Sequence, residues 1–288
     1  MPSDYLKTFP QYIVPKQGLT TFAGFMANIK HQAIKNYLIK RFIRKYAVNM
    51  QEAREENPEH YACFNDFFIR HLKPACRPVA NADIISPVDG YISEIGQITA
   101  GKLLQAKGRD YSVHELLACD EALSAQFNHG CFATLYLSPQ DYHRVHMPVD
   151  GILQQMIYVP GKLFSVQPTT ARVIPRLFAR NERLVVFFDT SIGLMAMVLV
   201  GATIVGKIGT SWQGDLQRSR KRTQTSYSQD ATVKTTLKKT AEMGYFKLGS
   251  TVILLFAEGQ RVQWQHHLQA GDKIRFSEAL GSIDNQIK

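Results

Sequence analysis

The sequence predicts an α+β fold, with N-terminal amphipathic helices on a mostly antiparallel β core of sandwich or barrel-like form. Two observations predict it. Through residues 18–48, apolar side chains recur at spacings of three and four, the period of a helix. From about residue 80 the chain turns to short β-rich runs punctuated by glycine and proline.

Leu19, Phe22, Met26, Ile29 and Ala33, followed by Ile34, Leu38 and Phe42, place one or two helices in the first region. Residues 51–72 are expected to continue helical, with Asn65-Asp66-Phe67-Phe68 near their end. Strands are expected over 90–98, 131–137, 151–159, 183–188, 194–208, 245–256 and 272–276. One short helix interrupts them, because Ser112 followed by Glu115 has capping-box spacing ahead of Leu116-Leu117-Ala118. The uncharged run 190–206 has 17 residues and three glycines. A membrane span needs about 20 predominantly apolar residues, so this run is read as two buried strands with a turn. Residues 213–240 are polar and basic, the pattern of an exposed hairpin or mobile loop. The chain is thus expected to divide into a helical region (1–72) and a β-rich domain (73–288).

Composition narrows the function classes. With 288 residues, 45% apolar and 20% charged, the chain is neither disordered nor collagenous nor a disulfide scaffold. Cys63, Cys76, Cys119 and Cys131 form no CxxC pair and no secretory signal pattern opens the chain, so free thiols in a reducing compartment are expected. The net charge is +10 and unevenly placed. Residues 1–50 carry eight cations and one anion, and residues 209–248 carry eight cations and three anions. Residues 51–208 carry 14 cations and 16 anions, so the body is not basic. Cations on an amphipathic helix suit an anionic membrane surface. Nucleic acid is the weaker fit, because no binding motif accompanies the charge.

Three segments carry reactive side chains. Ser86-Pro87-Val88-Asp89-Gly90 is turn chemistry that presents a carboxylate. Ser138 to Pro148 packs Asp141, His143 and His146 into six residues, with prolines at both ends. Residues 246–256 run as an apolar strand broken by Gly249-Ser250-Thr251, as at a bulge that exposes the backbone. Structural readings stand beside each: a plain turn, two hydrogen-bonded histidines, a plain bulge. Taken together, Asp89, His146 and Ser250 are the residue types of a triad, which is recognised by roles and not by chain order. A serine hydrolase or lipase acting on an external ester is one reading. The missing GxSxG elbow weighs against it.

The segments SPVDG, YLSPQDYHRVHMPVDG, LFSVQP, ARNER, LVGATIVG and FKLGSTVILLF, from about Phe64 to Phe256, closely resemble those of bacterial phosphatidylserine decarboxylase proenzymes. The resemblance implies self-cleavage between Gly249 and Ser250, giving a β chain of residues 1–249 and an α chain of residues 250–288. Ser250 would attack the Gly249 carbonyl, and elimination and hydrolysis would leave a pyruvoyl group made from Ser250. His146 matches the histidine that activates this serine, and Asp89 the carboxylate that orients that histidine. His143 matches the histidine associated with the substrate carboxylate and decarboxylation. The implied reaction converts phosphatidylserine to phosphatidylethanolamine and CO₂ through a Schiff base on the pyruvoyl group, with no metal or external cofactor. The implied setting is the cytoplasmic face of the inner membrane, as a peripheral homodimer of cleaved protomers that binds no nucleic acid.

Overall fold

The computed structural model describes residues 4–5, 8–9, 11, 16–106, 108–203, 207–227, 236–247, 250–259 and 262–283. Gly249, one half of the expected cleavage bond, and residues 228–235 of the basic segment lie outside these.

Two helices open the fold, α1 (Lys16–Ala27) and α2 (Gln32–Tyr46). Ala47 ends α2 in the left-handed region at φ 50, and its N–H returns to the Ile43 carbonyl. Arg44 and Lys45 occupy the last turn, where cations complement the helix dipole. The expected helix over 51–72 is mostly absent: one 3₁₀ turn (Met50–Glu52) and the short α3 (Phe64–Phe68) are helical. Between them, Asn57 N–H donates to Glu55 and Glu59 N–H donates to the Asn57 side chain. Such local side-chain bonds compete with a helical ladder, and Pro58 cannot join one. Ile39, Phe64, Phe67 and Phe68 are buried together, with Phe42 edge-on to Phe64 at 5.1 Å.

The body is built from β1 (Gly90–Gln97), β2 (Cys131–Leu137), β3 (Arg144–His146), β4 (Gly151–Val159), β5 (Arg183–Thr190), β6 (Gly193–Val200), β7 (Lys207–Thr210), β8 (Gly214–Asp215), β9 (Thr223–Ser226), β10 (Thr236–Leu237), β11 (Glu242–Lys247), β12 (Ser250–Phe256) and β13 (Lys273–Ile274). The large sheet has the order β9-β4-β5-β6-β12-β2-β1-β13, with β10 also on β4, and its pairings are antiparallel. It is open, not a closed barrel. A small sheet runs β8-β7-β11-β3. The helix predicted from the capping box is α4 (Val113–Leu117), with the Ser112 side chain accepting from Glu115 N–H.

Both faces of the large sheet are covered. On β2, Ala133, Leu135 and Leu137 enter one core and Phe132 and Tyr136 the other. On β12, Val252 and Leu254 share the first core and Ile253 and Leu255 the second. A strand buried on both sides reads as a continuous apolar run, which is how CFATLYL and STVILLF read. The uncharged run 190–206 contributes β6, and the chain resumes in β7.

Candidate active site

Antiparallel pairing sets the site. Leu137, last in β2, pairs with Ser250, first in β12. Residues 138–143 therefore leave the sheet at the end where Ser250 enters it. On the other side, β11 pairs with β3, placing Tyr245 opposite Arg144, and Phe246 N–H donates to the His143 carbonyl at 3.0 Å. The small-sheet strand β11 thus ends at Lys247, and Ser250 opens the large-sheet strand β12.

Ser250 and His143 are both fully buried. Ser250 Oγ lies 3.4 Å from His143 Nδ1, and His143 Nε2 lies 3.1 Å from the Ser138 carbonyl oxygen. A carbonyl only accepts, so Nε2 carries the hydrogen and Nδ1 offers its lone pair to the serine hydroxyl. Phe68 stacks on the ring at 4.2 Å. Burial, aided by the nearby positive charge of Arg70, lowers the His143 pKa to about 3. The imidazole is therefore neutral around neutrality and able to take a proton.

His146 is held differently. Its Nδ1 donates to the Thr240 carbonyl at 2.8 Å, which leaves Nε2 to accept from the Tyr142 hydroxyl at 3.1 Å. Phe276 stacks on its ring at 3.9 Å. Burial lowers its pKa to about 4.

Asp89 is gripped by Arg77, which donates from Nε to Oδ1 at 3.0 Å and pairs with Oδ2 through Nη2. Phe276 N–H also donates to Asp89 Oδ1, at 2.8 Å. Arg77 extends to Glu52 Oε2 at 2.8 Å. Burial works against the Glu52 charge, but Arg77 together with the charges of Arg275 and Arg70 outweighs it and leaves the carboxyl below its usual range.

The structure therefore gathers Asp89, His143, His146 and Ser250 in one neighbourhood without joining them in the expected order. The side chain on the Ser250 hydroxyl is His143. Among the described residues no hydrogen bond links His146 to Ser250 or to Asp89. Asp89 reaches His146 through Phe276, whose amide it accepts from and whose ring covers the imidazole. Sequence reasoning did not single out Arg77, Phe276 or Thr240, and no spacing or motif marks them. Tyr142 lies inside a segment chosen for its histidines.

Ser250 borders a cavity of about 610 Å³ between the helices and the body. Tyr136, Leu137 and Pro139 line it from the sheet side, and Phe22, Met26, Leu38, Phe42 and Phe68 from the helices. Ser165, Val166 and Ala202 complete one wall. That wall is held by fully buried Asn181, whose Nδ2 donates to the carbonyls of Phe164 (2.8 Å) and Gly201 (2.9 Å) and whose Oδ1 accepts from Phe164 N–H (3.1 Å).

This arrangement offers a buried hydroxyl, a neutral base beside it and a largely apolar cavity walled on one side by the helices. A family model described as phosphatidylserine decarboxylase matches residues 64–282, and one described as PSD matches residues 6–47. A Legionella pneumophila protein named phosphatidylserine decarboxylase proenzyme is 60% identical over 280 residues, covering 97% of this chain and 99% of that one. Proteins of the same name from Vibrio vulnificus and Polaromonas sp. are 50% and 49% identical, covering 97% of this chain and 95% and 99% of theirs.

Proposed function

From the premise that the chain belongs to the phosphatidylserine decarboxylase family, we propose that it converts phosphatidylserine to phosphatidylethanolamine and CO₂, using a group made from its own Ser250. The observation that carries this is the fully buried Ser250 hydroxyl, facing a neutral histidine where an apolar cavity meets the start of β12.

Two reactions are asked of the site. In the first, Ser250 Oγ adds to the Gly249 carbonyl carbon, the C–N bond breaks and an ester forms. Elimination across Cα–Cβ of residue 250 releases the Gly249 carboxylate, and water then displaces ammonia, leaving a pyruvoyl end. Asp89, His146 and Ser250 are proposed for this step. It requires the Ser250 hydroxyl to turn from His143 to His146, with His146 Nε2 released from Tyr142. In the second, a pyruvoyl group supplies a carbonyl that takes up the substrate amine and accepts the electrons left when CO₂ departs. His143 is proposed to act here, at the substrate carboxylate or, once Nδ1 has taken a proton from the condensing amine, as the donor of that proton to the carbon that CO₂ leaves. Its contact with residue 250 supports that placement, and the apolar lining favours loss of a charged carboxylate.

The substrate sits in a bilayer, and the helical face suits one. Phe22 and Phe25 on α1 and Tyr37 on α2 are more than half exposed. Among the described residues no helix is long and apolar enough to cross a membrane. Exposed aromatics beside a basic segment support a peripheral position on an anionic leaflet, which we propose is the cytoplasmic one. Pairing of cleaved protomers as a homodimer belongs to the same reading and rests on the family resemblance.

Intact mass after denaturing electrophoresis tests it. Active protein should contain a 39-residue fragment, residues 250–288, with a pyruvoyl N-terminus. Ser250→Ala should abolish cleavage and CO₂ release together. Active enzyme consisting only of full-length chain would overturn the proposal.

A further inference from the structure

Two cations line the cavity on its helical side. Arg41 and Lys45 are four residues apart on α2, so their side chains share a face, and both border the space that reaches Ser250. Of the other cations of this helix, Arg44 does not border the cavity, and Lys35 and Lys40 are engaged at Glu59. Lys40 pairs with Glu59, and buried Lys35 donates to the Glu59 carbonyl at 2.7 Å and to Asn36 Oδ1 at 2.8 Å. Arg41 and Lys45 are exposed, and among the described residues neither meets a carboxylate. Lys45 Nζ rests 5.0 Å from the Tyr46 ring centroid. Their neighbours along the wall are Phe22, Met26, Leu38 and Phe42. Two cations without counter-charge in an otherwise apolar wall suit an anion that carries apolar chains.

On the reading above, the occupant brings two anions: the carboxylate that leaves and the phosphodiester that stays. A cation paired with the leaving carboxylate stabilises the ground state and opposes loss of CO₂. A cation paired with the phosphodiester is equally favourable before and during the reaction, and so tightens binding without slowing chemistry. An arginine fork can hold two phosphate oxygens at once, and lysine adds a point charge. We propose that Arg41 and Lys45 hold the phosphodiester of the lipid substrate and thereby set the depth at which its amine meets residue 250. This rests on the function proposed above.

The test uses the cleaved enzyme and dihexanoyl phosphatidylserine below its micelle-forming concentration, so that no bilayer takes part. Arg41→Gln with Lys45→Gln should raise KM about tenfold and leave kcat within about twofold. The charge-preserving pair Arg41→Lys and Lys45→Arg should recover most of that loss. As inhibitors, dihexanoyl phosphatidylglycerol should outcompete dihexanoylglycerol on the native protein, and the preference should vanish in the Gln pair. Inorganic phosphate should not compete. An unchanged KM with only vesicle binding lost would assign these cations to the bilayer and overturn the proposal. A fall in kcat at constant KM, or competition by inorganic phosphate equal to that of the lipid, would overturn it too. Turnover by the native enzyme with an indifferent Gln pair sinks this inference alone, whereas no CO₂ from the native, cleaved enzyme sinks the underlying function with it.

Discussion

Ser250 Oγ stands 3.4 Å from His143 Nδ1, and the far nitrogen of that ring donates to the Ser138 carbonyl. The ring is therefore fixed in one tautomer with its lone pair on residue 250. His143→Ala should leave self-cleavage intact and lower kcat by about 10²- to 10⁴-fold, the range of a lost acid–base group. His146→Ala should leave the chain full length. Intact mass and CO₂ release read the two effects separately. Cleavage lost in the first variant and kept in the second would exchange the proposed roles.

The Arg77–Asp89 pair carries a second expectation. Both side chains are under a tenth exposed, and Asp89 also accepts the Phe276 amide. Arg77→Met fills similar space but leaves a buried carboxylate without its counter-ion, a loss of about 3–5 kcal/mol. It should also slow cleavage, because the Phe276 ring that Asp89 helps place lies against His146. Urea denaturation and a cleavage time course would show both. A stability change under about 1 kcal/mol would mean that Asp89 is not anchored by this pair.

The large strands were legible because burial on both faces leaves an uninterrupted apolar run. Residues 131–137 and 151–159 carry their strands with the bounds the pattern assigns. The stretch 51–72 was not legible as irregular, since its apolar spacing says nothing of the Glu55–Asn57–Glu59 bonds that hold it. At the site, residue types were legible and their order was not. Whether His143 or His146 faces Ser250 depends on how residues 138–143 turn from β2 into β3 and on a tyrosine and a threonine carbonyl that hold His146. Arg77 and Phe276 sit 12 and 187 residues from the aspartate they bind, and no local pattern encodes such contacts.

Stability should fall as pH drops below about 6.5. Burial depresses His143 to about 3 and His146 to about 4 from an ordinary 6.5. The unfolded chain takes up protons there while the folded one does not, so the stabilisation is complete above about pH 6.5 and lost progressively toward pH 4 and 3, at about 1.4 kcal/mol per pH unit per histidine. Thermal melts of His146→Gln between pH 7 and 5 should show a shallower slope than the native protein. Parallel slopes would mean that His146 is not buried neutral.

Asn181 offers a test of the cavity wall. Its amide satisfies both the Phe164 and Gly201 carbonyls, next to the segments that carry Ser165, Val166 and Ala202. Asn181→Ala removes three hydrogen bonds from this buried wall and should cost about 3 kcal/mol. KM for phosphatidylserine should rise as the wall loosens. A stable variant with native KM would show that the wall does not depend on this side chain.

Docking on the bilayer should be separable from turnover. Phe25 is 69% exposed and Tyr37 57% exposed, and neither borders the cavity at Ser250. Burying a phenyl ring in the acyl boundary is worth about 2–3 kcal/mol, so Phe25→Ser should weaken partition onto anionic vesicles by about 30- to 150-fold. Each cation near the surface adds about 1 kcal/mol, an attraction that salt screens. Half-molar salt should therefore release the native protein from anionic vesicles, and Phe25→Ser should shift that release to lower salt. Turnover of monomeric dihexanoyl phosphatidylserine should not change in Phe25→Ser, because that substrate needs no bilayer. If sedimentation with vesicles is indifferent both to salt and to Phe25, the helical face is not the membrane contact, and the route from bilayer to Ser250 must lie elsewhere on the protein.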